Sequence, residues 1–246
     1  MHCLRKITLW SLGAALACAA AQADDYRFEL NLAGEHASFD FDDAADLDAV
    51  GVGGTYYLAP VPTDGLPLAE AAFLNRSSFI DAFAVRSELG DEKIDVFGAN
   101  FGYYVPGTMF YGRIGVTYAD DFGGDQTNVN GTFGITPLKG LRVTTDIDED
   151  GWDPNVTARH VGRIADRNWY AASVSVTDPD EGDVDVGLDF DFFFDPTFSV
   201  GAGFSSGSDS IAVRAEKFFR TRFAVGAHAY TGDDGDGFGA HFTWRF

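Results

Sequence analysis

From Tyr26 to Phe246 the chain reads as a succession of short segments in which apolar and polar residues alternate. Successive side chains of a β-strand point to opposite faces, so a period of two makes a ribbon with one apolar and one wet side. The clearest run is "VDVGLDFDFFF", in which Val184, Val186, Leu188, Phe190, Phe192 and Phe194 share one parity and Asp185, Gly187, Asp189 and Asp191 the other. "TFSVGAGFS" sets Phe198, Val200, Ala202 and Phe204 against Ser199, Gly201, Gly203 and Ser205. "YRFELNL" sets Tyr26, Phe28, Leu30 and Leu32 against Arg27, Glu29 and Asn31. The pattern predicts fourteen strands, near 26–36, 47–58, 78–88, 93–105, 108–119, 127–137, 140–148, 152–163, 168–177, 184–195, 197–206, 210–219, 221–231 and 237–246. Strands that cross a bilayer need about 9–11 residues with this dyad pattern. Alternation is imperfect around Asp81 and His160, where a bulge or an interfacial position is expected.

The N-terminus agrees with an exported chain. Arg5 and Lys6, the apolar run "ITLWSLGAALACAA" and Ala21-Gln22-Ala23 have the order of a cleavable signal peptide, expected over residues 1–23. One domain, 24–246, would remain, free of cysteine because Cys3 and Cys18 leave with the signal. Removing Arg5 and Lys6 from the 17 basic residues leaves 15 against 38 acidic ones, a net charge of −23. Such a surface excludes nucleic acid as a partner. No segment after the signal reaches 18 consecutive apolar residues, so no transmembrane helix is expected.

The connections between segments carry a second regularity. Counted in order, the odd ones are acidic: "EHASFDFDDAADLD", "ELGDEK", "ADDFGGDQTN", "DIDEDGWD", "TDPDEGDVD", "SSGSDS" and "TGDDGDG", together holding 26 of the 38 acidic residues. The even ones are short and nearly free of clustered acid: "VPGT", "PLKG", "RIADRN", "DPT" and "FRTR", plus one longer link, "APVPTDGLPLAEAAFLNRS". Up-and-down topology sends alternate turns to opposite sides of a membrane, which explains the sorting; a soluble sandwich has no reason for it. Where no water is available, only a closed barrel satisfies every backbone donor and acceptor. The expectation is therefore an all-β, transmembrane, antiparallel up-and-down β-barrel of about 14 strands, with 12–16 as the bracket. Its last strand, ending "HFTWRF", must pair with the first.

Phe242, Trp244 and the terminal Phe246 fall on alternate positions and resemble the assembly signal read by the barrel assembly machinery of the bacterial outer membrane. The whole chain after the signal, and "GTYYLAPVPTDGLPLAEAAFLNRSSF" in particular, resembles the general bacterial porins of proteobacteria. That resemblance implies passive transport across the outer membrane without naming a solute. Trimeric general porins carry about 16 strands and a long third external loop folded into the pore. The external loops here are all short, so a monomer is expected.

The wet parity supplies the candidate residues. Small or polar positions (Asn100, Gly102, Gly115, Asn130, Thr132, Thr144, Asn155, Ser173, Ser175, Gly201 and Gly203) alternate with lipid-facing ones. Charges of both signs join them: Arg27, Glu29, Arg86, Arg113, Arg142, Arg159, Asp185, Asp189, Asp191, Arg214, Glu216 and Arg245. With Asn100, these charges are the expected pore lining, a hydrated lumen for small hydrophilic solutes or ions. An acidic mouth would concentrate cations and repel anions, so a weak cation preference is expected. "DIDEDGW" matches the opening of a calcium loop at Asp146, Asp148, Asp150 and Gly151, but Thr157 stands where a closing Glu should be. Loose Ca2+ or Mg2+ binding along the acidic loops is expected in place of a single cage, with no resident cofactor. If the last hairpin turns around Asp234-Gly235, His228 and His241 oppose each other and form a candidate metal pair. "LPLAEAAFLNRS" has helical spacing and could cap the inner mouth or simply pack as a linker. The alternatives are a non-conducting structural or adhesive barrel, its loops bridged to lipopolysaccharide by divalent cations, and a lipid-modifying enzyme that would use His36. Neither requires a catalytic residue in the lumen, and none is assigned.

Overall fold

The computed structural model describes residues 25–39, 46–90, 92–121, 124–147, 155–177, 184–233 and 235–246. The expected signal peptide, the tip of the first loop, and Asp148, Asp150 and Gly151 lie outside the described residues. Fourteen strands follow the fourteen alternating segments: β1 (Tyr26–Phe39), β2 (Leu47–Val61), β3 (Phe79–Leu89), β4 (Glu92–Tyr104), β5 (Phe110–Asp121), β6 (Gly124–Leu138) and β7 (Leu141–Ile147). The second half comprises β8 (Asn155–Arg163), β9 (Trp169–Thr177), β10 (Asp185–Asp195), β11 (Phe198–Ser205), β12 (Ser210–Phe219), β13 (Phe223–Gly232) and β14 (Gly235–Arg245). Each strand pairs with its sequence neighbours, and β1 pairs with β14, so the sheet closes. Closure runs without a break from Glu29 opposite Arg245 to Phe39 opposite Gly235.

The apolar parity lies on the outside. Val50, Ile114, Phe133, Phe190 and Phe238, on widely spaced strands, are each 48–63 % exposed. A continuous apolar belt of that kind is stable only against hydrocarbon. Short turns, the start of β1 and the end of β14 lie at one rim, the one expected to face the periplasm; the strand ends joined by the longer acidic connections lie at the other. Phe246 stacks on Phe28 at 4.9 Å and meets Trp244 edge-on at 5.0 Å, which places the terminal rings in an aromatic girdle at the periplasmic rim.

Two departures from strict alternation matter. The Phe246 carbonyl accepts from the backbone N–H of both Arg27 and Phe28, so two residues of β1 face the one that follows β14. The β1–β2 register jumps at the same point, from Tyr26 opposite Val61 to Phe28 opposite Tyr56. This bulge turns Tyr26 into the lumen, where it is buried against Tyr57 at 5.5 Å, contrary to the expected lipid-facing position. On β3 the inward parity is Phe79, Asp81, Phe83 and Val85, so Arg86 points outward. It lies opposite Val50 and pairs with Asp95 at 2.7 Å through both Nε and Nη2. The expectation of Arg86 as a lumen residue is thus corrected: Asp81 opposite Asn100 fixes the parity of the strand, and the apolar run on β3 had disguised it.

Candidate functional site

The long β2–β3 connection folds into the lumen at the rim that carries the short turns. After Val61 the chain turns inward and forms a 3-10 turn (Leu68–Glu70) and a single helical turn, α1 (Ala71–Leu74). Leu74 packs on Val161, Trp169, Ala171 and Phe193. Ala71 packs with Tyr26, Tyr57 and Val61, and Leu68 with Phe218 and Ala224. The contacts therefore run from β1 and β2 round to β13. Polar bonds fasten the segment between them. The Leu68 N–H donates to the Pro196 carbonyl at 2.8 Å, Arg76 Nη2 to the Thr136 carbonyl at 2.8 Å, and Asn75 Nδ2 to the Pro62 carbonyl at 2.7 Å. Apolar residues at Leu66, Leu68, Ala71, Phe73 and Leu74 explain why this link folds inside: at the rim it would expose them to water.

One ion pair and one charged hydrogen bond hold the plug to the wall. Arg245, inward on the last strand, donates from Nε to Glu29 at 2.6 Å and from Nη1 to the Leu68 carbonyl at 2.9 Å. Its guanidinium lies between the rings of Tyr26 and Phe218, at 4.4 and 4.6 Å. Glu70 on the plug accepts from Arg159 Nη2 at 2.5 Å. Glu70 is nearly buried, and that burial pushes its carboxyl above the usual carboxylate range, outweighing the pull of Arg159; Asp191 and Glu216 push the same way.

Above the plug the wall is charged, and the two signs are unevenly spread. On the β10–β12 side, Arg214 is held by Asp191 at 2.7 and 2.9 Å and by Asp189 at 2.7 Å. Gly201 lies between them on β11, and a Cβ there would fall 2.0 Å from Asp191 Oδ1 and 2.9 Å from Arg214 Nε. His241 bonds Glu216 at 3.2 Å. On the β5–β8 side stand Arg113, Arg142 and Arg159. Arg142 donates to the Tyr104 hydroxyl at 2.8 Å and lies over the rings of Tyr111 and Phe73, at 4.8 and 5.1 Å. Among the described residues no carboxylate lies within ion-pair distance of Arg113 or Arg142, whereas Glu70 pairs with Arg159.

Of the expected lining residues, Glu29, Asn100, Arg113, Arg142, Arg159, Asp185, Asp189, Asp191, Arg214, Glu216 and Arg245 share the inward parity. Asn100 donates to Asp81 at 2.8 Å, and Asp185, near the external rim, accepts from the Gly207 N–H at 2.6 Å. Arg27 sits exposed beside the bulge at the opposite rim, and Arg86 is outside. Asp146 accepts from Thr132 at 2.6 Å and from Asn155 at 3.2 Å; its expected partners Asp148 and Asp150 lie outside the described residues. Gly232 pairs with Gly235, which places His228 opposite Gly239 and His241 opposite Gly226. The two histidines are thus not opposed, and the expected metal pair is corrected by a register offset of two; among the described residues no cluster has the composition of a metal site. His36, the residue named for an enzyme, is on the outer wall, bonded to Asp48 at 2.9 Å and against Phe238.

Sequence reasoning missed the aromatic lining. Tyr104 and Tyr111 share parity with Asn100 and Arg113, so the signal was present in "NFGYY" and "YGRIG". Glu70, a lone acid in an apolar link, was the other available clue.

Known proteins place this architecture. Residues 1–111, somewhat under half of the chain, match the family model described as putative general bacterial porin. The crystal structure of the Acinetobacter baumannii outer membrane protein Omp33 superposes with a TM-score of 0.74 at 24 % identity, over 92 % of this chain and 100 % of that one. The KdgM porin aligns over 88 % of this chain and 99 % of its own, at 10 % identity and a TM-score of 0.43. No curated protein matches the sequence. The chain is a closed, fourteen-stranded antiparallel β-barrel with an apolar outer face, and its first 111 residues match the porin family model.

Proposed function

We propose that the protein is a non-enzymatic outer-membrane channel for small hydrophilic solutes, closed at rest by residues 62–78 and conducting when that segment withdraws. The observation that carries this reading is the pairing of an apolar outer belt with a lumen lined by charges and small residues, into which, among the described residues, a segment from a single connection folds at one end. Closure of the β-ladder is independent of that segment, so its withdrawal leaves the wall intact. Weak cation preference belongs to the same proposal: the acidic external connections face solutes first, and most described lumen charges are paired.

The test is planar-bilayer conductance of the full chain beside a variant in which residues 64–77 are replaced by a short Gly-Ser turn. The shortened variant is expected to give large steady steps and the full chain small or infrequent ones. A folded, inserted variant that stays silent would overturn the channel reading. Reversal potentials in asymmetric KCl that favour chloride would overturn the cation preference alone.

A further inference from the structure

Against the plug, a cavity of about 360 Å3 opens between it and the wall from β2 to β8. Three guanidiniums, Arg113, Arg142 and Arg159, reach it, against one carboxylate, Glu70. Its remaining wall is largely aromatic, with Tyr104, Tyr111 and Phe73 nearest the arginines.

Arg142 and Arg159 stand directly opposite each other across β7 and β8. Like charges in that relation destabilise a sheet. Glu70 answers one of them, at 2.5 Å. The other is left to rings and a phenol hydroxyl, and Arg113 has no carboxylate within ion-pair distance among the described residues, in a protein whose net charge is −21. A chain so rich in acid had carboxylates available to pair these cations, as it pairs Arg214 with two. Two guanidiniums held ready beside flat apolar walls make a site for an anion with an apolar body: the forks match a carboxylate, and the rings cover what is attached to it. The volume lies in the range of small-ligand sites.

We propose that this cavity binds small organic carboxylates with a flat ring, the carboxylate bridging Arg113 and Arg142 and the ring packing against the aromatic wall formed by Tyr57, Phe79 and Tyr104. A solute entering from outside reaches it before the plug. The proposal names a ligand held at one basic site inside a lumen whose mouth favours cations, and in that respect rests on the channel reading.

The test is calorimetric titration of the full-length detergent-solubilised barrel with benzoate, acetate and benzylamine. Benzoate should bind saturably at one site, acetate about tenfold or more weaker for want of the ring, and benzylamine not at all. Arg113→Gln and Arg142→Gln should each weaken benzoate about tenfold, the loss expected for a charge-assisted contact. Arg86→Gln, on the outer wall, should leave it unchanged. Heat-modifiable gel mobility reports folding of each variant. If an arginine variant fails to fold, saturation-transfer NMR on the unaltered protein, with benzoate ring protons against the aromatic envelope, takes its place. Absence of benzoate binding to the folded barrel, equal binding of benzylamine, or affinity that survives both arginine changes would overturn the proposal. Calorimetry reads binding and not permeation. A conducting barrel that ignores benzoate sinks the site alone, and a silent barrel that binds it sinks the channel reading alone.

Discussion

Replacing Glu70 with alanine should release the plug. Glu70 is 7 % exposed, and its carboxylate is the one acid within ion-pair distance of Arg159 among the described residues. Breaking a fully buried pair costs about 3–5 kcal/mol because the surviving charge is left without an answer. Arg159 is 30 % exposed and keeps the Phe73 ring at 5.7 Å, so part of that cost is recovered from water and from the ring. A net loss of about 2 kcal/mol is reasonable, which moves the docked–withdrawn equilibrium about thirtyfold. None of this touches the β-ladder, so thermal unfolding should hardly change. The assay is single-channel recording of the unaltered protein, Glu70→Ala and Glu70→Gln at one pH and voltage. The alanine variant should show the roughly thirtyfold rise in the ratio of open to closed time. The glutamine variant, which keeps an acceptor for Arg159 without burying a charge, should stay at least as closed as the parent. Equal open times in parent and alanine variant, with both barrels folded, would refute the assignment of Glu70 as a latch.

The same residue sets a pH dependence. Docked, its carboxyl holds a proton more tightly than it would in water, so protonation favours the docked state. Closure should be firmest below the ordinary carboxylate value and weaken as pH rises through the raised one. Recordings across mildly acidic pH should show more opening at higher pH in the parent and a flat profile in Glu70→Gln; a rise in opening on acidification contradicts the assignment. On the opposite wall, Gly201→Val drives a side chain into the fork between Asp191 and Arg214. It should lower unfolding stability by about 1–3 kcal/mol, as overpacking does; an unaltered denaturation midpoint would show that the fork moves aside freely.

The alternating parity made strand number, up-and-down topology and closure readable in advance, because period two is a local property of the chain and a lipid solvent leaves few ways to use it. The charged residues on the clean strands were readable for the same reason: Asp189, Asp191 and Arg214 each sit on an unambiguous wet parity. Arg86 was misread because β3 carries Phe83 and Val85 inward, where they cover Gly98 and Gly51 of the neighbouring strands. Local pattern then gives the wrong face, and only the register with Asn100 corrects it. Tyr26 failed similarly, since a bulge flips parity without altering composition. The histidine pair failed on a hairpin that turns one residue earlier than expected.

What the sequence determined by itself was the wall: fourteen ribbons, an apolar exterior, a wet interior and acid gathered at one rim. What the tertiary structure decided was whether the lumen is open and which charges meet. Glu70 reaches Arg159 across 89 residues of chain, and Leu68 reaches Arg245 across 177. Such meetings depend on how a closed sheet curves around an inserted segment, and that curvature is written in no local period.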